Sequence, residues 1–233
     1  MKCIKGTLLG VVIGILITAW ATQVIAAGEG GIKVTADQAL QKLIEGNKRY
    51  VTLQMTSCTK TTKETIETLS KGQNPYAIIL SCSDSRVPPE VVFDTTLGEL
   101  FVVRVAGNIP DPVILGSIEY AAEHLGSPLV MVLGHERCGA VTAAFDARGT
   151  PGGNIGAIIQ TIAPAVKKAK QAAMGKTKDE LVEAAIDDNI RLAAENLTKQ
   201  SPVIKRLVKD GKVRIVRARY HLDDGTVILL DGK

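Results

Sequence analysis

Two short stretches of this 233-residue chain carry side chains that could hold a metal ion, Cys82-Ser83-Asp84-Ser85-Arg86 and His135-Glu136-Arg137-Cys138. Each follows an apolar run, Tyr76 to Leu80 and Leu129 to Leu133, that reads as a buried strand of a parallel sheet. Two thiols and an imidazole would then emerge at adjacent strand ends, where open α/β sheets gather their ligands. Cys82, His135 and Cys138 are therefore candidate zinc ligands. Zinc takes nitrogen and sulfur donors tetrahedrally, and three protein ligands leave a fourth position for water, as catalysis requires. With no Cys-x-x-Cys pair in the chain, neither a closed structural site nor a dithiol redox centre is indicated. A lone His-x-x-Cys is a weak signal. Asp84 and Arg86 strengthen it: two residues apart and just beyond Cys82, they can form a charge-assisted pair that fixes a carboxylate beside the metal.

The elements that must position these residues alternate in type. Thr35 is a candidate N-cap for a helix reaching about Tyr50, and a second helix, Lys63 to Lys71, ends at Gly72. Strands Tyr76 to Leu80, Leu100 to Val105 and Leu129 to Leu133 are separated by a short segment after Pro88 and by a helix from Pro112 to about His124. A helix from about Arg137 to Ala147 follows His135, and a Gly/Pro-rich loop at 149–153 leads into two long helices, Ile155 to Met174 and Lys178 to Lys199. Pro164 is expected to bend or divide the first. A short helix, Val203 to Val208, and a strand, Val213 to Ala218, precede an Asp224-Gly225 hairpin turn into Thr226 to Leu230. The pattern predicts an α/β fold, a central, mainly parallel sheet flanked by helices, with an N-terminal helical extension and a C-terminal hairpin.

Composition narrows the function classes. The net charge of +4 is modest, and 3% aromatic residues give no platform on which nucleic-acid bases could stack. At the N-terminus, Lys2 and Lys5 precede an apolar stretch from Thr7 to Trp20, and Val24-Ile25-Ala26 forms a small-residue cleavage pattern before Ala27. This reads as a secretory signal over residues 1–26, leaving one domain, 27–233, in the periplasm or outside the cell. The competing reading is an uncleaved membrane anchor, since Thr7 to Ala27 carries no charge. Cys3 would leave with the signal, and Cys58, in a polar stretch, receives no function. His124, at a helix end, and His221, opening the hairpin, read as surface residues. Asp94, Glu99 and Arg104 read as structural, with Arg104 a candidate bridge to a carboxylate or to a partner chain.

In chain order, Cys82-Ser-Asp-Ser-Arg86, Phe101-Val-Val-Arg104-Val-Ala-Gly107-Asn108, Ser117-Ile-Glu-Tyr120 and Gly134-His-x-x-Cys-Gly139 closely resemble the β-class carbonic anhydrases. The likeness runs from about Thr35 to the C-terminus. It implies reversible hydration of carbon dioxide to bicarbonate and a proton, with one Zn2+ per chain on Cys82, His135 and Cys138. The nucleophile would be a zinc-bound hydroxide oriented by the Asp84–Arg86 dyad. Asp84 could instead swing onto the zinc and close the site. Members that do so at low pH typically carry tryptophan three positions before the first cysteine; Ile79 stands there, so the open arrangement is expected.

The resemblance further implies Phe101 and Tyr120 as pocket wall, Gln73 as a donor to the bound anion and Gly139 as a backbone contact. Gln73, Phe101 and Tyr120 would come from a neighbouring subunit, making a homodimer the minimum unit and a tetramer the next. Two rival readings keep the fold: a hydrolase of carbon disulfide or carbonyl sulfide, and a non-catalytic zinc- or bicarbonate-binding protein. The intact dyad argues against the second.

Overall fold

The computed structural model describes residues 34–57, 61–149, 151–171 and 174–230. The signal or anchor stretch, Cys3 and Cys58 lie outside the described residues. No helix among the described residues is long and apolar enough to cross a membrane.

A five-stranded sheet organises the chain in the order β2-β1-β3-β4-β5. Its strands are β1 (Ala77–Ser81), β2 (Leu100–Arg104), β3 (Leu129–His135), β4 (Arg214–Tyr220) and β5 (Val227–Leu229). The first four run parallel and β5 closes the C-terminal hairpin antiparallel to β4, as expected. β1 and β3 are buried at every position because both faces of the central strands are covered. Ile78 and Leu80 point to one face with Cys82, while Ala77 and Ile79 point to the other.

The two faces are unequal. One is covered by α4 (Pro112–Glu123), α5 (Gly139–Asp146), α6 (Ile155–Gln171), α7 (Lys178–Gln200) and α8 (Pro202–Lys209). The other carries α1 (Ala36–Val51) and α3 (Pro89–Val92), and α2 (Lys63–Leu69) stands at the periphery with no buried residue. Thr35 caps α1 in a reciprocal box with Gln38, and Thr177 caps α7 the same way with Glu180. Pro164 lies inside α6 without dividing it.

Two boundaries differ from expectation where the ligands lie. β3 continues past Leu133, because Gly134 and His135 pair with Arg219 and Tyr220 of β4. His135 is thus the last residue of a strand rather than the first of a loop. The following helix begins at Gly139, not near Arg137, because Arg137 has φ 48°, a left-handed conformation that an α-helix does not admit.

Candidate active site

Each of the three ligand candidates hangs from a different kind of anchor. Cys82 follows β1, His135 ends β3, and Cys138 is the N-cap of α5. All three are buried, with one potential ligand atom from each falling within 4.8 Å of the others. The two sulfurs are 4.0 Å apart. His135 Nδ1 lies 2.8 Å from the Glu136 carbonyl, which can only accept, so the proton sits on Nδ1 and the lone pair on Nε2. Nε2 is buried and has no hydrogen-bond partner. An orphaned imidazole nitrogen beside two buried thiols is the donor set of a zinc site, and the residues fit that ion.

The thiols are electrostatically unequal. A hydrogen bond from Cys138 lowers the Cys82 pKa against the opposing effect of burial, helped by the Gly107 N–H at 3.3 Å. Cys138 is pushed the other way by the neighbouring Cys82 sulfur and by burial. Without a cation, one negative charge is all the pair sustains; a divalent ion would favour the second thiolate and release its proton.

Asp84 and Arg86 form the expected dyad. Arg86 Nε donates to Asp84 Oδ1 at 2.9 Å and Nη2 to Oδ2 at 2.7 Å, and the Arg86 backbone N–H adds a third bond at 3.0 Å. The Arg86 guanidinium holds the Asp84 carboxyl far below the usual carboxylate range, against partial burial. Oδ2 also lies 3.8 Å from His135 Nε2, so the carboxylate sits beside the ligand cluster while remaining on Arg86.

A sequence model of the carbonic anhydrase family matches residues 77–227, which include all three ligand candidates and the dyad. The solved β-carbonic anhydrase CcaA superimposes with a TM-score of 0.69 at 25% identity, covering 83% of this chain and 95% of that one. The chain belongs to the β-carbonic anhydrases. Carbonic anhydrase 2 of Mycobacterium tuberculosis is 38% identical over 196 residues, 83% of this chain and 92% of that protein. The carbonic anhydrase of Mycolicibacterium smegmatis is 36% identical over 194 residues, 82% and 91% of the two. In fold alone, a structure from work on two tetrameric β-carbonic anhydrases of Sordaria macrospora matches with a TM-score of 0.67 at 20% identity, covering 83% and 97%. The activity that follows from membership is carbon dioxide hydration. The relatives do not favour the rival sulfur-substrate and non-catalytic readings.

Several residues that build this β-carbonic anhydrase site carry no chemical motif of their own. Arg104 donates to the backbone carbonyls of Cys82, at 2.9 Å, and Asp84, at 2.6 Å. It thus bridges two carbonyls of the ligand loop, where a carboxylate was one of the two partners expected of it. Gly107 turns with φ 76°, and a Cβ there would stand 2.7 Å from Ile162 Cδ1. Glycine is needed for its N–H to reach the Cys82 sulfur, and Asn189 of α7 holds its carbonyl at 2.8 Å. Gly139 opens α5 with free space where a Cβ would be, leaving room beside Cys138.

The predicted pocket residues are divided. Gly139 adjoins the ligands, but Phe101 pairs with Ile78, four positions back along the sheet from Cys82 and so roughly 13 Å away at ordinary strand rise. Tyr120 lies near Phe101, at 6.4 Å between ring centroids, and is 46% exposed. Gln73 is exposed on the loop before β1, lining a surface cleft with Leu69 and Leu97. Within one chain these three residues do not meet the ligands.

Proposed function

We propose that this β-carbonic anhydrase binds one zinc ion per chain through Cys82 Sγ, His135 Nε2 and Cys138 Sγ, and works as an exported homo-oligomer. The observation that carries the metal reading is the buried, partnerless Nε2 of His135 between two buried thiols. Zinc bound there would acidify a water molecule and supply hydroxide near neutral pH, an effect best known from carbonic anhydrases with three histidine ligands.

The chain's own groups do the rest. Asp84 stays ionised because Arg86 grips both its oxygens, so it can accept a hydrogen bond from a hydroxyl beside the ligand cluster and aim that oxygen's lone pair at carbon dioxide. Arg86 positions Asp84, and Arg104 fixes the backbone on which both stand. Space beside Gly139 admits a small, uncharged substrate. With Asp84 held on Arg86 and Ile79 buried on the opposite face of the sheet, the open arrangement is the working form.

Metal analysis combined with stopped-flow hydration tests this. One zinc per chain with rapid hydration supports it, whereas zinc-loaded protein without hydration refutes the catalytic assignment. Two thiolates neutralise the ion where three imidazoles do not, so kcat/KM should rise with pH above neutrality. A flat profile from pH 6 to 9 would count against that ligand set. Export rests on the N-terminal charge and hydropathy pattern. Expression in a Gram-negative host should yield a periplasmic product beginning at Ala27; a full-length product in the membrane fraction would favour the anchor.

The oligomer rests on the separation of Gln73, Phe101 and Tyr120 from the ligands of their own chain, and on the tetrameric description carried by the Sordaria proteins. Their contribution to the pocket is proposed to come across a subunit boundary.

A further inference from the structure

Glu136 and Arg137 separate the ligands His135 and Cys138, and the peptide group they share is held from both sides. Its carbonyl accepts from His135 Nδ1 at 2.8 Å, and its N–H donates to Glu183 Oε1 at 3.0 Å. Glu183 lies on α7, far away in sequence. Its other oxygen accepts from Arg219 Nη2 at 2.6 Å. Arg219, with 13% of its side chain exposed, also meets Glu136 and Asp187 at 3.2 Å each, so the Glu183 carboxylate cannot turn away without breaking the shortest ion pair of a largely buried guanidinium.

The peptide needs this grip because Arg137 is left-handed, at φ 48°, a conformation unfavourable for any residue with a Cβ. If the 136–137 peptide rotated toward ordinary backbone angles, its carbonyl would leave His135 Nδ1. The ring would then lose the bond that points Nε2 at the thiols. The Arg137 side chain adds a clamp on Asp223, with bonds of 3.0 and 2.8 Å, but that pair is exposed and weaker.

We propose that Glu183 is a positioning residue of the metal site, a carboxylate that acts on His135 through the intervening peptide. Metal-bound histidines commonly donate their second ring nitrogen to a carboxylate or to a backbone carbonyl. Here the two are in series. Glu183 fixes and polarises the peptide, and the peptide fixes the tautomer and direction of the imidazole. The assignment rests on the zinc reading above.

Its test is the zinc affinity of the full chain, measured by competition with a chromophoric chelator, together with the visible spectrum of the cobalt-substituted protein. Glu183→Ala should bind zinc about tenfold more weakly and shift the cobalt bands. Asp187→Ala removes a different acidic partner of the same arginine and should keep wild-type affinity. Adding Arg137→Gly to Glu183→Ala should restore most of the lost affinity, because glycine accepts the left-handed conformation without restraint. Wild-type affinity in Glu183→Ala, an equal loss in Asp187→Ala, or no recovery in the double variant would each overturn the proposal. If Glu183→Ala does not fold, Glu183→Gln keeps an acceptor oxygen but drops the charge. It should then bind zinc measurably less tightly, and unchanged affinity overturns the idea. A wild-type chain that binds no zinc refutes the metal reading itself, a result distinct from all of these.

Discussion

In the proposed site, residues 82–86 divide the work so that one side chain would bind, one orient and one restrain, and the restraint is what makes the orientation usable. Partial burial opposes ionisation of the Asp84 carboxyl, and Arg86 outweighs it with three hydrogen bonds. Asp84→Ala removes the acceptor but no ligand atom. Hydration should fall about a hundredfold or more in kcat, while zinc content stays at wild type. A proportional loss of zinc would instead make Asp84 part of the binding site. Arg86→Ala should be milder at high pH and worse as pH falls. The Asp84 carboxyl then loses the partner that keeps its pKa low, so protonation reaches it sooner. The acidic limb of the kcat/KM profile of that variant, moved to higher pH, is the measurement.

At the scale of elements, short polar clasps set where the loops around the sheet lie. Asp94 has a left-handed backbone, and its side chain, fully removed from solvent, accepts from Arg49 Nε at 2.5 Å and from the backbone N–H groups of Thr56 and Ser57 at 2.9 and 2.8 Å. It joins α1 to the segment after it and to the loop after α3. Burial opposes its ionisation, but the Arg49, Ser57 and Thr56 bonds prevail and hold its pKa below the usual range. Asp94→Ala should cost about 3 kcal/mol, a fall in Tm of roughly 6–12 °C for a domain of this size. Because the folded pKa is depressed, this contribution is complete above the ordinary carboxylate value and is lost as pH falls toward the folded one. The Tm gap between wild type and variant should therefore narrow as pH is lowered from 6 to below 3. The sheet that these clasps surround was legible from apolar runs and capping residues, as were Cys82, His135, Cys138 and the dyad. What escaped was whatever depends on contacts distant in sequence. β3 reaches His135 only because β4 pairs there, Arg137 gives no glycine or asparagine signal for its left-handed turn, and Glu183 is one acid among many on a charged helix. Arg104 had its structural role foreseen, but not its targets.

For the whole molecule, the distance along the sheet between Phe101 and Cys82 turns into a statement about assembly. One chain brings the ligands, the dyad and Gly139 together but leaves Gln73, Phe101 and Tyr120 elsewhere, with Tyr120 substantially open to solvent. If those residues complete the site of a second copy, each site draws on two chains, and the arrangement predicts complementation in trans. Asp84→Ala and Gln73→Ala chains should each form impaired homodimers. In a mixed dimer, one site combines both defects. The other joins the intact dyad of the Gln73→Ala chain to the intact Gln73 of the Asp84→Ala chain, so a mixed dimer purified through two different tags should recover about half of wild-type activity per dimer, as two-fold symmetry with shared sites requires. If Gln73 serves its own chain instead, every site in the mixed dimer carries one defect. Its activity would then be only the average of the two impaired parents, and the stopped-flow rate of the mixed species separates the two cases.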